Sequence, residues 1–326
     1  MKKLIVALGL LLALLATGAA VSFAQDTAES PDGSLDALPP GATPAPLPTR
    51  EPRPAPTSRV SGERMQVELF FQTLPQGDIG LVHVTGDDVI EASAHFIERR
   101  IPFYPIENDG FYGLLSVDME QIPRRYPLEI EAGFEDGATE TLSLEVDVVT
   151  GPFIAQDVTI SPDKGPLLTP DTERAELARL ESIFATTTTE RYWDETGFQM
   201  PILSRLTSPF GAFRTFNNTL NTRHTGWDIR STLGTPILAS AAGKVVYAGM
   251  MDIRGNYVVI DHGYGVYSGY AHMSQVHVTR GQTVAKGQVI GVVGNTGRTS
   301  GPHFHWEIAV NGEWVDAVRF IERWIP

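Results

Sequence analysis

The sequence predicts a mainly β chain: a small amino-terminal β-sandwich-like unit, a helical connector, and a carboxy-terminal unit of antiparallel strands. Three observations predict it. Apolar and polar residues alternate with period two within residues 61–150, glycines punctuate short apolar runs within residues 198–326, and apolar residues recur at helical spacing in between. A chain of 326 residues is long enough for two compact units and their tails.

Lys2 and Lys3 precede an apolar run from Leu4 to Phe23, with the small residues Ser22 and Ala24 just before Gln25. Residues 1–24 read as a secretory signal peptide. The run is also long enough to cross a bilayer, so membrane attachment follows if it stays uncleaved. Either way the remainder is exported: secreted, or held in the envelope or periplasm. Residues 25–60 contain nine prolines and few large apolar side chains, a composition that cannot build a core and predicts a disordered, semi-extended linker.

The formal net charge of −14 argues against a nucleic-acid partner, because such binding needs Lys and Arg to displace counterions. There is no cysteine. Disulfides, thiolate metal sites and cysteine nucleophiles are thereby excluded, and any transition-metal site must use His, Asp and Glu.

In the first unit, residues 61–150, Val67, Leu69 and Phe71 alternate with Gln66, Glu68 and Phe70, and Leu142, Leu144, Val146 and Val148 alternate with polar neighbours. Asp136-Gly137 marks a hairpin between residues 128–134 and 139–149. Further strands are expected at Ile79–Val84 and Phe111–Val117. His83 and His95 are isolated from any ligand-spaced partner and read as structural or surface residues. In the connector, residues 151–197, Thr169-Pro170 followed by acidic residues predicts a helix start, and Leu177, Leu180 and Phe184 carry an apolar stripe over roughly 170–186.

The chemistry lies in residues 198–326. Six of the eight histidines fall between His224 and His305. On a strand His303, His305, Glu307 and Ala309 share one face, while Phe304, Trp306, Ile308 and Val310 form the apolar one. Two imidazoles then project together, placed so that one can bind a metal while the other faces water or substrate. His224 and Asp228 stand four residues apart, on one face of either a helix or an extended segment, and Gly226 and Trp227 favour the latter. A His, an Asp and a distant His supply the three protein ligands that a catalytic zinc site uses, with a fourth position open. His262, in a turn after a strand, reads as structural and His277 as a surface residue. Gly294, Gly297 and Gly301 lack the Lys-Ser/Thr that a phosphate loop needs and read as turns.

Taken together, these motifs resemble the lysostaphin/LytM-type zinc metallopeptidases. The first is His224-Thr-Gly-Trp-Asp228-Ile-Arg with Gly234-Thr-Pro-Ile and Gly243-Lys-Val-Val; the second is Tyr270-Ala-His272-Met-Ser; the third is Gly294-Asn-Thr-Gly297 through His303-Phe-His305-Trp-Glu. The likeness covers about residues 198–326, including Ser208-Pro-Phe-Gly211. It implies that His224, Asp228 and His305 bind one Zn(2+) and that His272 and His303 are catalytic, flanking the reacting water. An imidazole, with an ordinary pKa of about 6.5, suits proton transfer there. The implied activity is hydrolysis of peptide bonds in peptidoglycan stem peptides or cross-bridges. The alternatives are a non-catalytic wall-binding or hydrolase-activating relative, or a peptidase of exported proteins. Trp227 and Gly269 depart from the family's usual residues at their positions but touch no expected ligand. Glu307, on the strand face of His305, is a candidate to orient it.

Overall fold

A computed structural model of the chain describes residues 51–186 and 188–326. The expected signal peptide, the membrane attachment tied to it, and the linker up to residue 50 lie outside the described residues. The rest of the linker reading needs correction. Ser58–Ser61 is a strand paired with Gln66–Leu69, and residues 51–57 are docked on the fold rather than free. Thr57 donates its hydroxyl to the carbonyls of Leu69 and Phe71. Arg53 pairs with Asp109 at 2.9 Å and lies over the rings of Tyr112 and Trp324, 5.8 and 5.3 Å from their centroids. Proline removes donors but leaves these side chains free to find partners, so composition alone placed the edge of the fold too late.

The amino-terminal unit is a pair of five-stranded sheets. One runs in the order Ser58–Ser61, Gln66–Leu69, Ile79–Thr85, Phe111–Ser116, Tyr104–Pro105; the other in the order Thr73–Pro75, Thr139–Val149, Arg125–Phe134, Val89–Phe96, Arg99–Pro102. Val67, Leu69, Phe71, Val146 and Val148 are buried between them, as the alternation predicts, and Asp136-Gly137 closes the hairpin with Gly137 at φ 82°.

The connector holds more than a helix. Ala155–Val158 pairs in parallel with Phe213–Phe216, and a 3₁₀ turn spans Pro162–Leu167. Helix α1, Pro170–Phe184, begins where expected: the Thr169 hydroxyl accepts from the Thr172 N–H at 3.1 Å, and Asp171 and Glu173 complement the dipole in the first turn. Its buried face is Glu176, Leu180 and Phe184, not one led by Leu177. The two apolar members pack on Met251, Tyr257 and Tyr267, each burial contributing roughly 2 kcal/mol.

The carboxy-terminal unit is one antiparallel ten-stranded sheet. Its main path runs Leu206–Ser208, Trp227–Ile229, Phe304–Val310, Val266–Val276, Gly255–Gly263, Gly243–Met251, Thr283–Val284, with helix α2, Ala317–Glu322, near the carboxy terminus. Both faces of Phe304–Val310 are buried, so the expected polar face of this strand is enclosed rather than solvated. Trp193, Phe198 and Phe320 pack in the same core as Ile79, Leu81, Tyr112 and Leu114 of the sandwich. Tyr104 stacks on Tyr264 with centroids 4.0 Å apart, and the described residues belong to one compact unit.

His83 is buried against Glu68 and stacked on Tyr112, and His95 and His277 are exposed. His262 is 0% exposed, set between the Ala242 carbonyl at 2.8 Å and the Ser268 hydroxyl at 2.6 Å.

Two outcomes follow from this packing. A fragment starting at Phe198 would uncover the shared core; it is expected to melt well below the full chain or to aggregate, as read by calorimetry and light scattering, and a fragment as stable as the full chain would disprove the sharing. Burial pushes the His262 pKa down to about 4 from 6.5. Between those values the unfolded chain binds the extra proton, so stability rises with pH across the window and is lost as pH falls, by up to about 3 kcal/mol. In denaturant titrations, His262→Gln should flatten this part of the profile; an unchanged slope would refute the assignment.

Candidate metal centre

The strand Phe304–Val310 runs between Trp227–Ile229 and Val266–Val276, in a register that sets His305 opposite Asp228 on one side and Ala271 on the other. Opposed residues on paired strands stand about 5 Å apart, within reach of short side chains. Asp228 Oδ1 lies 2.9 Å from His305 Nδ1. His224 follows the strand Leu220–Arg223 and is fixed at three points: its N–H donates to Ala212 O at 3.0 Å, its carbonyl accepts from Gly211 N–H at 2.7 Å, and its Nδ1 donates to Pro209 O at 2.7 Å. That leaves Nε2 at 3.1 Å from Asp228 Oδ1 and 3.0 Å from His305 Nδ1. Gly226 makes the approach possible, because a Cβ there would stand 2.2 Å from the Trp306 carbonyl oxygen.

The donor chemistry of this triangle is that of a cation site. A carbonyl only accepts, so His224 Nδ1 carries the proton and Nε2 offers a lone pair. His305 Nε2 lies 3.2 Å from Glu307 Oε1 and donates its N–H to that carboxylate, which leaves Nδ1 bare in the neutral ring. Two lone pairs and a carboxylate therefore meet at edges of 2.9–3.1 Å. One proton can relieve one pair; a tetrahedral ion relieves all three, and ligands at zinc's bond lengths would stand about 3.3 Å apart. The residues fit such an ion. Among the described residues no other group of three His, Asp or Glu side chains converges in this way.

Electrostatics agrees. Burial works to raise the Asp228 pKa, but His224 and the Arg214 guanidinium on its second oxygen hold it well below the usual range. Burial pushes His224 down to about 4. For His305 burial is outweighed by hydrogen bonds to Asp228 and Glu307, and its pKa is raised: the pocket favours positive charge.

His272 and His303 stand beside the triangle, their ring centroids 4.8 Å apart, with His272 5.8 Å from His305. His272 Nδ1 donates to Thr296 O at 2.8 Å and His303 Nδ1 to Gly301 O at 2.9 Å, so in both neutral rings Nε2 carries a lone pair, and that of His303 stands 3.5 Å from Asp228 Oδ1. His272 sits at φ 60°, a conformation uncommon outside glycine, at an irregularity in its strand. His303 precedes the strand start at Phe304, and its side chain is 17% exposed against 8% for His305. It is the more exposed of the two rings. Burial and the neighbouring His303 and His305 keep the His272 pKa well below its ordinary value, so this ring is neutral.

Residues 222–317 match the profile of peptidase family M23. The segment is an M23 domain. The chain is 45% identical over 96 residues to the peptidoglycan DD-endopeptidase ShyA of Vibrio cholerae, covering 29% of this chain and 22% of that protein. It is also similar to the DD-carboxypeptidase/endopeptidase Mpg of Neisseria meningitidis, 43% identical over 119 residues, or 36% and 27% of the two chains. The chain thus spans about a quarter of the length of these curated relatives. A crystal structure assigned to peptidase M23 from Pseudomonas aeruginosa superposes with a TM-score of 0.58 at 25% identity, over 76% of this chain and 94% of its own, so the likeness extends beyond the M23 domain.

All five residues singled out in the sequence meet at the centre of the M23 domain. Four of their neighbours escaped the sequence analysis: Arg214, Thr225, Arg254 and Tyr257. Thr225 and Tyr257 donate to Glu307, and Arg254 pairs with it at 2.6 Å. Arginines in a turn or short strand carry no spacing signal. Gly226→Ala is expected to destabilise the protein by about 1–3 kcal/mol through overpacking, read as a lowered midpoint in urea; an unchanged midpoint would contradict the close approach.

Proposed function

We propose that this chain is an exported, zinc-dependent endopeptidase that hydrolyses peptide bonds in peptidoglycan stem peptides or cross-bridges. The observation that carries it is the meeting of three lone-pair donors, on His224, Asp228 and His305, beside two imidazoles whose Nδ1 atoms are tied to backbone carbonyls. The M23 profile and the names of the ShyA and Mpg proteins support the peptide and wall parts of the reading. The amino-terminal signal pattern supports export.

His224, Asp228 and His305 would hold the zinc, which supplies Lewis acidity toward a carbonyl and a nucleophilic water near neutral pH. Arg214 takes the second Asp228 oxygen and leaves the first for the ion. His272 and His303, fixed through Nδ1–H to backbone carbonyls, present basic Nε2 atoms on the same side. One can accept a proton from the attacking water and one can return a proton to the leaving amine. His303, the more open ring, is placed to meet the substrate.

The test is digestion of purified peptidoglycan. The wild type should release cleaved peptides, chelation should stop the release and zinc should restore it, and His303→Ala should slow it by about 100-fold or more. Zinc-loaded wild type that leaves the wall intact would overturn the reading, and cleavage of exported proteins in place of wall would redirect the substrate.

A further inference from the structure

We infer that Glu176, on helix α1 outside the M23 domain, is a positioning residue for the metal centre, acting through Arg254 on both His305 and His272. The inference rests on the zinc reading above. Glu176, Arg254 and Glu307 are 5%, 5% and 1% exposed. Glu176 Oε2 accepts from the Ile253 N–H at 2.7 Å, and Oε1 from the Arg254 N–H at 3.1 Å and its guanidinium NH1 at 3.0 Å. One carboxylate therefore grips both the backbone and the side chain of the turn between Gly243–Met251 and Gly255–Gly263.

That turn reaches the centre by three routes. Arg254 Nε and NH2 donate to the two Glu307 oxygens at 2.9 and 2.6 Å, and Glu307 Oε1 stands 3.2 Å from His305 Nε2. The Arg254 carbonyl accepts the His272 N–H at 2.8 Å, at the residue with φ 60°. The Ile253 carbonyl accepts the Arg298 N–H at 2.8 Å, in the loop that leads to His303. Gly255, at φ 65°, lets the turn touch that loop, since a Cβ there would stand 2.4 Å from Thr296 backbone atoms.

Stability does not account for the arrangement. Two buried carboxylates share one guanidinium, and burying such charges commonly gains nothing over apolar packing. Glu176 occupies a place that its helix neighbours Leu180 and Phe184 mark as core. What the charges do supply is direction. A carboxylate held at both oxygens cannot swivel, so the His305 Nε2–H keeps one partner and the ring keeps Nδ1 aimed at Asp228. Tyr257 also donates to Glu307, at 2.6 Å, so loss of Glu176 loosens this grip without abolishing it.

The test uses the full chain, with cobalt(II) and zinc as probes. Glu176→Gln keeps the shape and removes the charge. It should bind zinc about 10-fold more weakly in competition with a chromophoric chelator, change the visible spectrum of the cobalt form, and lower kcat with KM near wild type. Arg254→Lys, which keeps the charge but loses the fork, should do the same, and the double variant should be little worse than either single one. If Glu176→Gln folds with wild-type zinc affinity and cobalt spectrum, Glu176 only docks the helix and the inference falls while the zinc reading stands. If the wild type takes up neither metal, the zinc reading falls and the inference with it. Should Glu176→Gln not fold, Arg254→Lys decides on the same two readouts.

Discussion

The His305 ring stands between two carboxylates, Asp228 at 2.9 Å from Nδ1 and Glu307 at 3.2 Å from Nε2. Each carboxylate is itself held by an arginine, the half-buried Arg214 on one side and the buried Arg254 on the other. This chain of opposite charges dictates much of the architecture around it. It places His305 opposite Asp228 of the neighbouring strand and two residues from Glu307 on its own. It requires the strand's second face to be closed from water, since charge pairs of this kind weaken in high dielectric. Helix α1 and the aromatic cluster of Tyr257, Tyr267 and Trp314 provide that closure. The sheet, the helix and the turn at Ile253-Arg254 can be understood as the housing of one oriented imidazole.

Strand periodicity carried most of the carboxy-terminal fold. The alternation of Phe304, Trp306, Ile308 and Val310 marks a true core face. Residue chemistry in a chain without cysteine drew attention to His224, Asp228, His303 and His305, and the resemblance to the lysostaphin/LytM-type peptidases added His272 and implied the separate roles. Three things were not legible. The second face of that strand is also buried, and alternation cannot say what lies above a polar face. The φ of His272 is a property of a strand irregularity, invisible to any two-residue period. Glu176 disturbed the helical stripe, but a polar residue in an apolar row gives no hint of its partner 78 positions away.

The edges between units were harder still. Composition separates a sandwich from a ten-stranded sheet, yet Ile79, Leu81, Tyr112 and Leu114 contribute to a core that also contains Trp306 and Phe320. Shared cores are long-range facts; each residue looks locally like an ordinary buried strand position. The same holds for the connector, whose strand Ala155–Val158 is stable only because Phe213–Phe216 lies alongside.

The docked segment at residues 51–57 has a mechanical meaning. The Glu51 N–H donates to the Glu322 carbonyl and Arg53 is sandwiched near Trp324, so the amino-terminal approach to the head is riveted beside the chain's last turn. A pull applied from the amino-terminal side would be transmitted to the body at that rivet, not at the first strand of the sandwich. Residues 51–61 are therefore tied to the body at both ends, at Glu322 first and at the strand Gln66–Leu69 second, before the sandwich proper begins.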